Sequence, residues 1–207
     1  MSLSGRLSKL SSYYSNQHSI WDIGCDHGLL GLSFHKMESV KSIHLVDPSD
    51  RVIEALKLKL KDSDIPHVTI HHEPGQNIKL DRESKCIFIA GMGGKEIAEI
   101  LKHFESQMGV DDQVVISPHR SVLLLRDYLF QSSFRLVTEE AFFEDGQFYP
   151  ILVLSKIESL PRVTLYGENL WKGETGTAYK KHQIKFFETH QDPSSQAYLA
   201  YLKGFKP

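Results

Sequence analysis

Apolar residues recur along this chain at two different periods, and each change of period marks an element. Leu3, Leu7, Leu10 and Tyr14 return every three or four positions, the spacing of one helix face, with Arg6 and Lys9 off that stripe. From Ser19 onward, short apolar runs alternate with helix-period segments. Ser19–Gly24, Lys41–Val46, Val68–His71, Cys86–Ala90 and Gln113–Ser117 read as strands. Leu29–Met37, Arg51–Lys61, Lys95–Phe104 and Val122–Phe130 read as helices between or after them. Strands alternating with helices of this length predict an α/β fold, a parallel sheet with helices on both faces.

The alternation stops at Phe134. Phe134–Phe143 and Phe148–Leu154 are strand-like runs separated only by Glu144-Asp145-Gly146-Gln147, and Asp-Gly is a strong hairpin signal. The sheet is therefore expected to end in an antiparallel hairpin. Beyond Ile157, the residues Pro161, Gly167, Gly173 and Gly176 read as a loose connection, with a helix over Ala178–Thr189. Asp192-Pro193 has the form of an N-cap and first-turn proline, opening a last helix, Gln196–Lys203, that Gly204 stops. The expected organisation is a sheet domain with its leading helix over 1–157, and a small C-terminal helical hairpin over 158–207.

Composition narrows the class. A chain of 207 residues, 41% hydrophobic, suits one domain of ordinary size with an appendage. It has no run of 18 apolar residues to cross a membrane, and its N-terminus lacks the apolar core of a signal peptide. Two cysteines, Cys25 and Cys86, make no disulfide framework, so a reducing cytoplasm is the expected location. Nothing in the pattern calls for a second copy, and a monomer is the simpler expectation. Net charge is −2, but unevenly spread. Residues 1–155 hold 16 Lys and Arg against 21 Asp and Glu, and residues 156–207 hold 8 against 5. The basic tail is thus the better candidate for touching nucleic-acid phosphates.

The chemistry concentrates at strand ends. Asp22-Ile-Gly24-Cys25-Asp26-His27-Gly28 follows the first strand, at the edge where ligands bind in open α/β sheets. Gly24 allows a tight turn and close approach of backbone to ligand. A dinucleotide fingerprint would place glycine two residues after Gly24, where this chain has Asp26. A carboxylate there would repel a pyrophosphate and attract a sulfonium or an adenine amino group. That favours S-adenosylmethionine over a nicotinamide cofactor, and so does the terminal hairpin. Asp47-Pro48 closes the second strand, 23 residues after Gly24, where a carboxylate can accept ribose hydroxyls. Ala90-Gly91-Met92-Gly93-Gly94 closes the fourth strand and bares backbone at the central crevice. Pro118, His119 and Arg120 follow the fifth. His67, His71 and His72 lie close in sequence, but His71 and His72 point to opposite faces of a strand and no cysteine pair flanks them, so no metal site is expected.

Together these motifs resemble the TrmK family of bacterial tRNA methyltransferases, which act on N1 of adenine 22. The resemblance runs from about Leu3 to Leu170. It rests on Leu3–Leu7, Asp22–His27, Ile89–Gly94 and the Glu144–Tyr149 hairpin, with Ala-Gly-Met-Gly-Gly the most specific. It implies a Rossmann-like class I methyltransferase sheet, S-adenosyl-L-methionine as cofactor and tRNA as partner. By the same resemblance Asp22, Gly24, Cys25, Asp26, Gly28, Asp47, Pro48, Ala90 and Gly91 surround the cofactor. Where the family has Gly-Asp-Gly after the third strand, this chain has Gly75-Gln76-Asn77, which passes the contact to the donor's adenine to Gln76 or Asn77. Where the family has Gln-Pro-Asn, this chain has Ser117-Pro118-His119.

Methyl transfer to adenine N1 uses an in-plane lone pair, so positioning carries most of the catalysis. Asp26, His27, Met92 and Gly93 are the expected catalytic positions, with Asp26 accepting from the base's N6 amino group. Arg6, Lys9, Pro118, His119, Arg120, Tyr149, Lys180 and Lys181 are expected to touch substrate, with Lys172 and Lys185 as further phosphate contacts. The competing expectations are a methyltransferase of another RNA or a small molecule, a donor-binding protein without catalysis, and a nicotinamide oxidoreductase.

Overall fold

A computed structural model describes residues 3–61, 63 and 65–205. The elements run α1 (Gly5–Ser11), β1 (Ser19–Ile23), α2 (Leu29–Leu32), β2 (Ser42–Val46), α3 (Asp50–Lys61) and β3 (Val68–His71). They continue with β4 (Lys85–Ala90), α4 (Gly94–Phe104), β5 (Gln113–Ser117), α5 (Val122–Gln131), β6 (Arg135–Glu144), β7 (Gln147–Ser155), α6 (Gly173–Phe187) and α7 (Pro193–Gly204). Short 3₁₀ turns occupy Gly75–Asn77 and Glu168–Trp171. The seven strands form one sheet in the order β3-β2-β1-β4-β5-β7-β6. The first five are parallel, and β7 enters antiparallel between β5 and β6. Asp145 and Gly146, both at positive φ, make the turn that the Asp-Gly pair predicts.

Strand side chains alternate between two cores. Ile87 and Ile89 of β4, Val114 and Ile116 of β5, and Leu152 and Leu154 of β7 face α4 and α5. Cys86, Phe88, Val115, Ile151 and Val153 face α1 and α2. Burial on both faces explains why these strands read as unbroken apolar runs. His71 faces His44 across β2 and β3, with ring nitrogens 3.0 Å apart, while His72 pairs with Asp50. No helix among the described residues is long and apolar enough to cross a membrane.

Two expectations need correction. The helix read over Leu29–Met37 ends at Leu32 and unwinds into successive turns. The tail is not loosely connected. Leu170 and Trp171 are buried, and α6 begins at Gly173, not Ala178. Gly176 sits inside this helix because a Cβ there would press on the Leu170 carbonyl and the Trp171 backbone.

The tail docks on β6 through an aromatic cluster and one buried ion pair. Ala141 of β6 packs with Leu170, Trp171, Tyr179, Tyr198 and Leu202. Arg126 of α5 and Glu139 of β6, both fully buried, meet at 2.7 Å. Arg126 also donates from Nε to the Thr164 carbonyl at 2.9 Å, and Glu139 accepts the Asn169 N–H at 3.3 Å. Removing one partner strands a charge in the interior, whereas removing both does not. Arg126→Ala is therefore expected to cost about 3–5 kcal/mol in urea unfolding, and the double variant Arg126→Met, Glu139→Leu far less. Equal losses in the two would contradict this account of the docking.

Candidate active site

The sheet reverses its winding between β1 and β4. The chain leaves β1 toward β2 and leaves β4 toward β5, so the loops after β1 and β4 part at the carboxyl edge. A cleft of about 420 Å³ opens there, within the usual range for small-molecule sites. Its walls are Arg6 and Leu7 of α1, Asp22, Gly24–His27, Leu29 and Leu30 at and after β1, Ala90-Gly91 after β4, and His119 after β5; Gly28 is buried against Leu45 and Leu56 instead.

Backbone geometry shapes the floor. Gly24 has φ +71°, and a Cβ there would overlap the Met92 methyl group. The N–H groups of Gly24 and Cys25 both donate to the Val46 carbonyl, at 2.8 and 3.1 Å, which ties the end of β1 to the end of β2. Asp26 adopts φ +48°, and its N–H donates to Asp47 Oδ2 at 3.3 Å. Asp47 Oδ1 accepts the Ser49 N–H at 2.9 Å. Asp22 Oδ2 accepts the Gly31 N–H at 2.8 Å, an approach that a side chain at position 31 would block.

Two carboxylates, Asp22 and Asp26, thus line the cleft, and a third, Asp47, adjoins it through the Asp26 N–H. Among the described residues no lysine or arginine pairs with any of them. Burial pushes the Asp22 carboxyl up to about 7; the Gly31 N–H counters this, and the charges of Asp47 and Asp26 add to it. Burial, with the charges of Asp22 and Asp47, also pushes the Cys25 thiol up, which disfavours the thiolate. The α1 wall has the opposite sign. The Arg6 guanidinium lies 4.6 Å over the Tyr149 ring, and His119 stands edge-on to the same ring at 5.8 Å. Burial, together with the charges of Arg6 and Arg120, holds the His119 imidazole below its usual value.

The sequence candidates separate accordingly. Asp22, Gly24, Cys25, Asp26, His27, Ala90, Gly91, His119 and Arg6 share the cleft. Asp47 adjoins it through the Asp26 N–H, and Tyr149 through Arg6. Other candidates are spent elsewhere. Gly93 is buried where a side chain would meet Glu96 and Arg120, and Gly94 packs on the Ser121 backbone, so only Gly91 of the three glycines bares backbone to the cleft. Met92 covers Gly24. Pro118 is buried, while Gln76 and Asn77 are exposed on their 3₁₀ turn and absent from the cleft walls. Lys9 is paired with Glu140 at 2.7 Å, and Lys180 donates to the Phe205 carbonyl at 2.5 Å. Lys181 borders an open hollow at the start of α6, away from the cleft. Sequence reasoning missed Glu144, whose Oε1 accepts the Arg6 N–H at 3.0 Å from 138 residues away. It missed Glu140 too, which binds Lys9 and the Tyr13 hydroxyl.

A seven-stranded sheet with β7 reversed, opening at its carboxyl edge into a cleft of bare backbone and carboxylates, defines a Rossmann-like methyltransferase. The chain belongs to the methyltransferase domain family, whose model matches residues 3–152. The tRNA (adenine(22)-N(1))-methyltransferase of Bacillus subtilis (strain 168) is 27% identical over 156 residues, covering 74% of this chain and 65% of that protein. The match thus spans less than two thirds of that relative's length. Streptococcus pneumoniae Sp1610, solved in complex with S-adenosyl-L-methionine, has a TM-score of 0.81 at 21% identity and covers 98% of each chain. TrmK of M. capricolum, solved with S-adenosyl-homocysteine, has a TM-score of 0.78 at 19% identity, over 97% of this chain and 93% of that one.

The positive φ at Gly24 can be tested against a control. Gly146 has φ +77° with nothing near its missing side chain, so Gly146→Ala reports backbone strain alone, about 1–2 kcal/mol. Gly24→Ala must also displace Met92. Because the Met92 methyl ends a flexible side chain, the loss in thermal unfolding is expected to be at least that of Gly146→Ala; a clearly smaller loss would contradict the strain at position 24.

Proposed function

We propose that this chain is a TrmK-type enzyme that methylates N1 of an adenine in tRNA, with S-adenosyl-L-methionine as donor. The observation that carries the reading is the cluster of Asp22, Asp26 and Asp47, facing a cleft with no cation of their own. Such a cluster suits a ligand bearing an ammonium and a sulfonium, and it would repel the pyrophosphate of a dinucleotide. The Bacillus subtilis relative supplies the acceptor.

The residues present fit the donor. Asp22 would hold its ammonium, Asp47 its ribose hydroxyls, and the Gly24 and Gly91 backbones would allow close approach. Bound there, the donor supplies a methyl group on a positively charged sulfur, open to in-line displacement. Asp26 is exposed at the mouth, and its left-handed backbone, fixed by Asp47, aims the carboxylate outward. It accepts from the adenine N6 amino group and offsets the positive charge that grows on the ring as N1 is alkylated. His27 lies 3.7 Å from Asp26 and orients the base. No general base is needed, because N1 already presents its lone pair. The adenine must leave its stack to enter the cleft. Exposed lysines of the tail, Lys172, Lys181 and Lys185, provide phosphate contacts, and the enzyme acts in the cytoplasm.

The test is incubation of the purified protein with methyl-labelled S-adenosylmethionine and unmodified tRNA, followed by digestion to nucleosides. Labelled 1-methyladenosine is expected; no transfer to tRNA would refute the reading. Asp26→Asn keeps the tolerance for positive φ and removes the charge. Its rate at saturating donor is expected to fall by roughly 100-fold or more. An unaltered rate would remove Asp26 from the mechanism.

A further inference from the structure

Besides its aspartates, the cleft has one charged group, on the α1 wall, to which donor recognition and methyl transfer assign no role. Arg6 Nη1 is buried, and no hydrogen-bond partner among the described residues reaches it. A guanidinium N–H withdrawn from water and left unpaired is costly, so its retention on a cleft wall points to an acceptor brought by a ligand. The rest of Arg6 is pinned. Its backbone N–H donates to Glu144 Oε1 at 3.0 Å, and its guanidinium lies over Tyr149. Glu144 comes this close because residue 5 is glycine: a Cβ there would overlap the carboxylate. The wall is thus held in place by a β6 residue before the ligand arrives. Among the residues lining the cleft, Arg6 is the one with a permanent positive charge.

We propose that Arg6 forms an oxyanion subsite in this cleft, with Glu144 as its positioning residue. The ligand group is either the carboxylate of the donor's amino-acid part or a phosphate of the acceptor nucleotide. A planar guanidinium pairs with both through parallel N–H bonds. The subsite rests on the methyltransferase reading of the cleft, and it sets a guanidinium for an anion on the α1 wall alongside the carboxylates for cations that follow β1.

Calorimetric titration separates the two sources. S-adenosylhomocysteine, decarboxylated S-adenosylmethionine and unmodified tRNA are each titrated into the wild type and into Arg6→Gln, with melting temperatures confirming that both are folded. If the donor carboxylate is the partner, Arg6→Gln binds S-adenosylhomocysteine roughly tenfold or more weakly and the decarboxylated compound as the wild type does. If a phosphate is the partner, S-adenosylhomocysteine binds equally, tRNA binds less tightly, and the slope of log affinity against log salt falls by about one. Loss in either arm supports the subsite and names its source. Arg6→Lys keeps the charge without the fork and is expected to fall between the two in the same arm. Glu144→Ala is expected to weaken that arm as well, and Glu144→Gln, which keeps an acceptor oxygen, to restore it. If folded Arg6→Gln and Arg6→Lys bind all three ligands as the wild type does, the subsite is refuted and the methyltransferase reading stands. A wild type that binds none of the ligands refutes both.

Discussion

A parallel sheet wound outward in two directions from its middle has to part its loops where the directions diverge. Here that place is the β1–β4 boundary, and the site depends on it. The loop after β1 ties back to Val46 on the β2 side, while the loop after β4 ties across to β5, where the His119 N–H donates to the Met92 carbonyl at 2.9 Å. The Met92 side chain reaches across to Gly24, but the backbone of each loop is committed to the strand beside it. The two apolar cores above and below the sheet fix the strand ends, so the carboxylates meet on a rigid edge.

The cleft is not completed by the sheet alone. Its outer wall is α1, a helix of seven residues that is too short to be stable by itself. Its support comes from contacts made elsewhere in the chain. Leu10 is fully buried beneath it, Glu144 holds its first turn, and Glu140 binds Lys9 and Tyr13 farther along. Both glutamates belong to β6, so the terminal hairpin positions the N-terminal helix. The same strand uses its other face, at Glu139 and Ala141, to dock the tail. The antiparallel ending is therefore the part of the sheet on which the first and last segments of the chain converge.

Much of this could be read from the residues. The parallel strands, the Asp-Gly turn and the Asp22–His27 segment carry local signals of periodicity, turn chemistry or position after a strand, and the structure has each of them in place. Signals failed where the deciding contact lay far along the chain. Arg6 and Lys9 look alike as off-stripe cations, yet Arg6 reaches the cleft while Lys9 is spent on Glu140. Gly91, Gly93 and Gly94 look like one flexible loop, but two of them are packing positions against the segment around Arg120 and Ser121. Gly173 and Gly176 suggest a loose linker, but Gly173 turns the chain at φ +70° into α6, and Gly176 admits close contact with the backbone of buried Trp171. Local composition does not distinguish a glycine needed for flexibility from one needed for space.

The central claim is that a buried carboxylate kept without a cationic partner is completed by a cationic ligand. Calorimetry of S-adenosylmethionine binding between pH 5.5 and 7.5 tests it directly. Asp22 in the free protein is pushed up to about 7, so below that pH the site must lose a proton to bind. Wild-type affinity is expected to fall by roughly tenfold for each pH unit below about 7. Asp22→Asn is expected to bind more weakly and with little pH dependence. Wild-type affinity that stays level across this range, or a variant that binds as tightly as the wild type, would contradict the account.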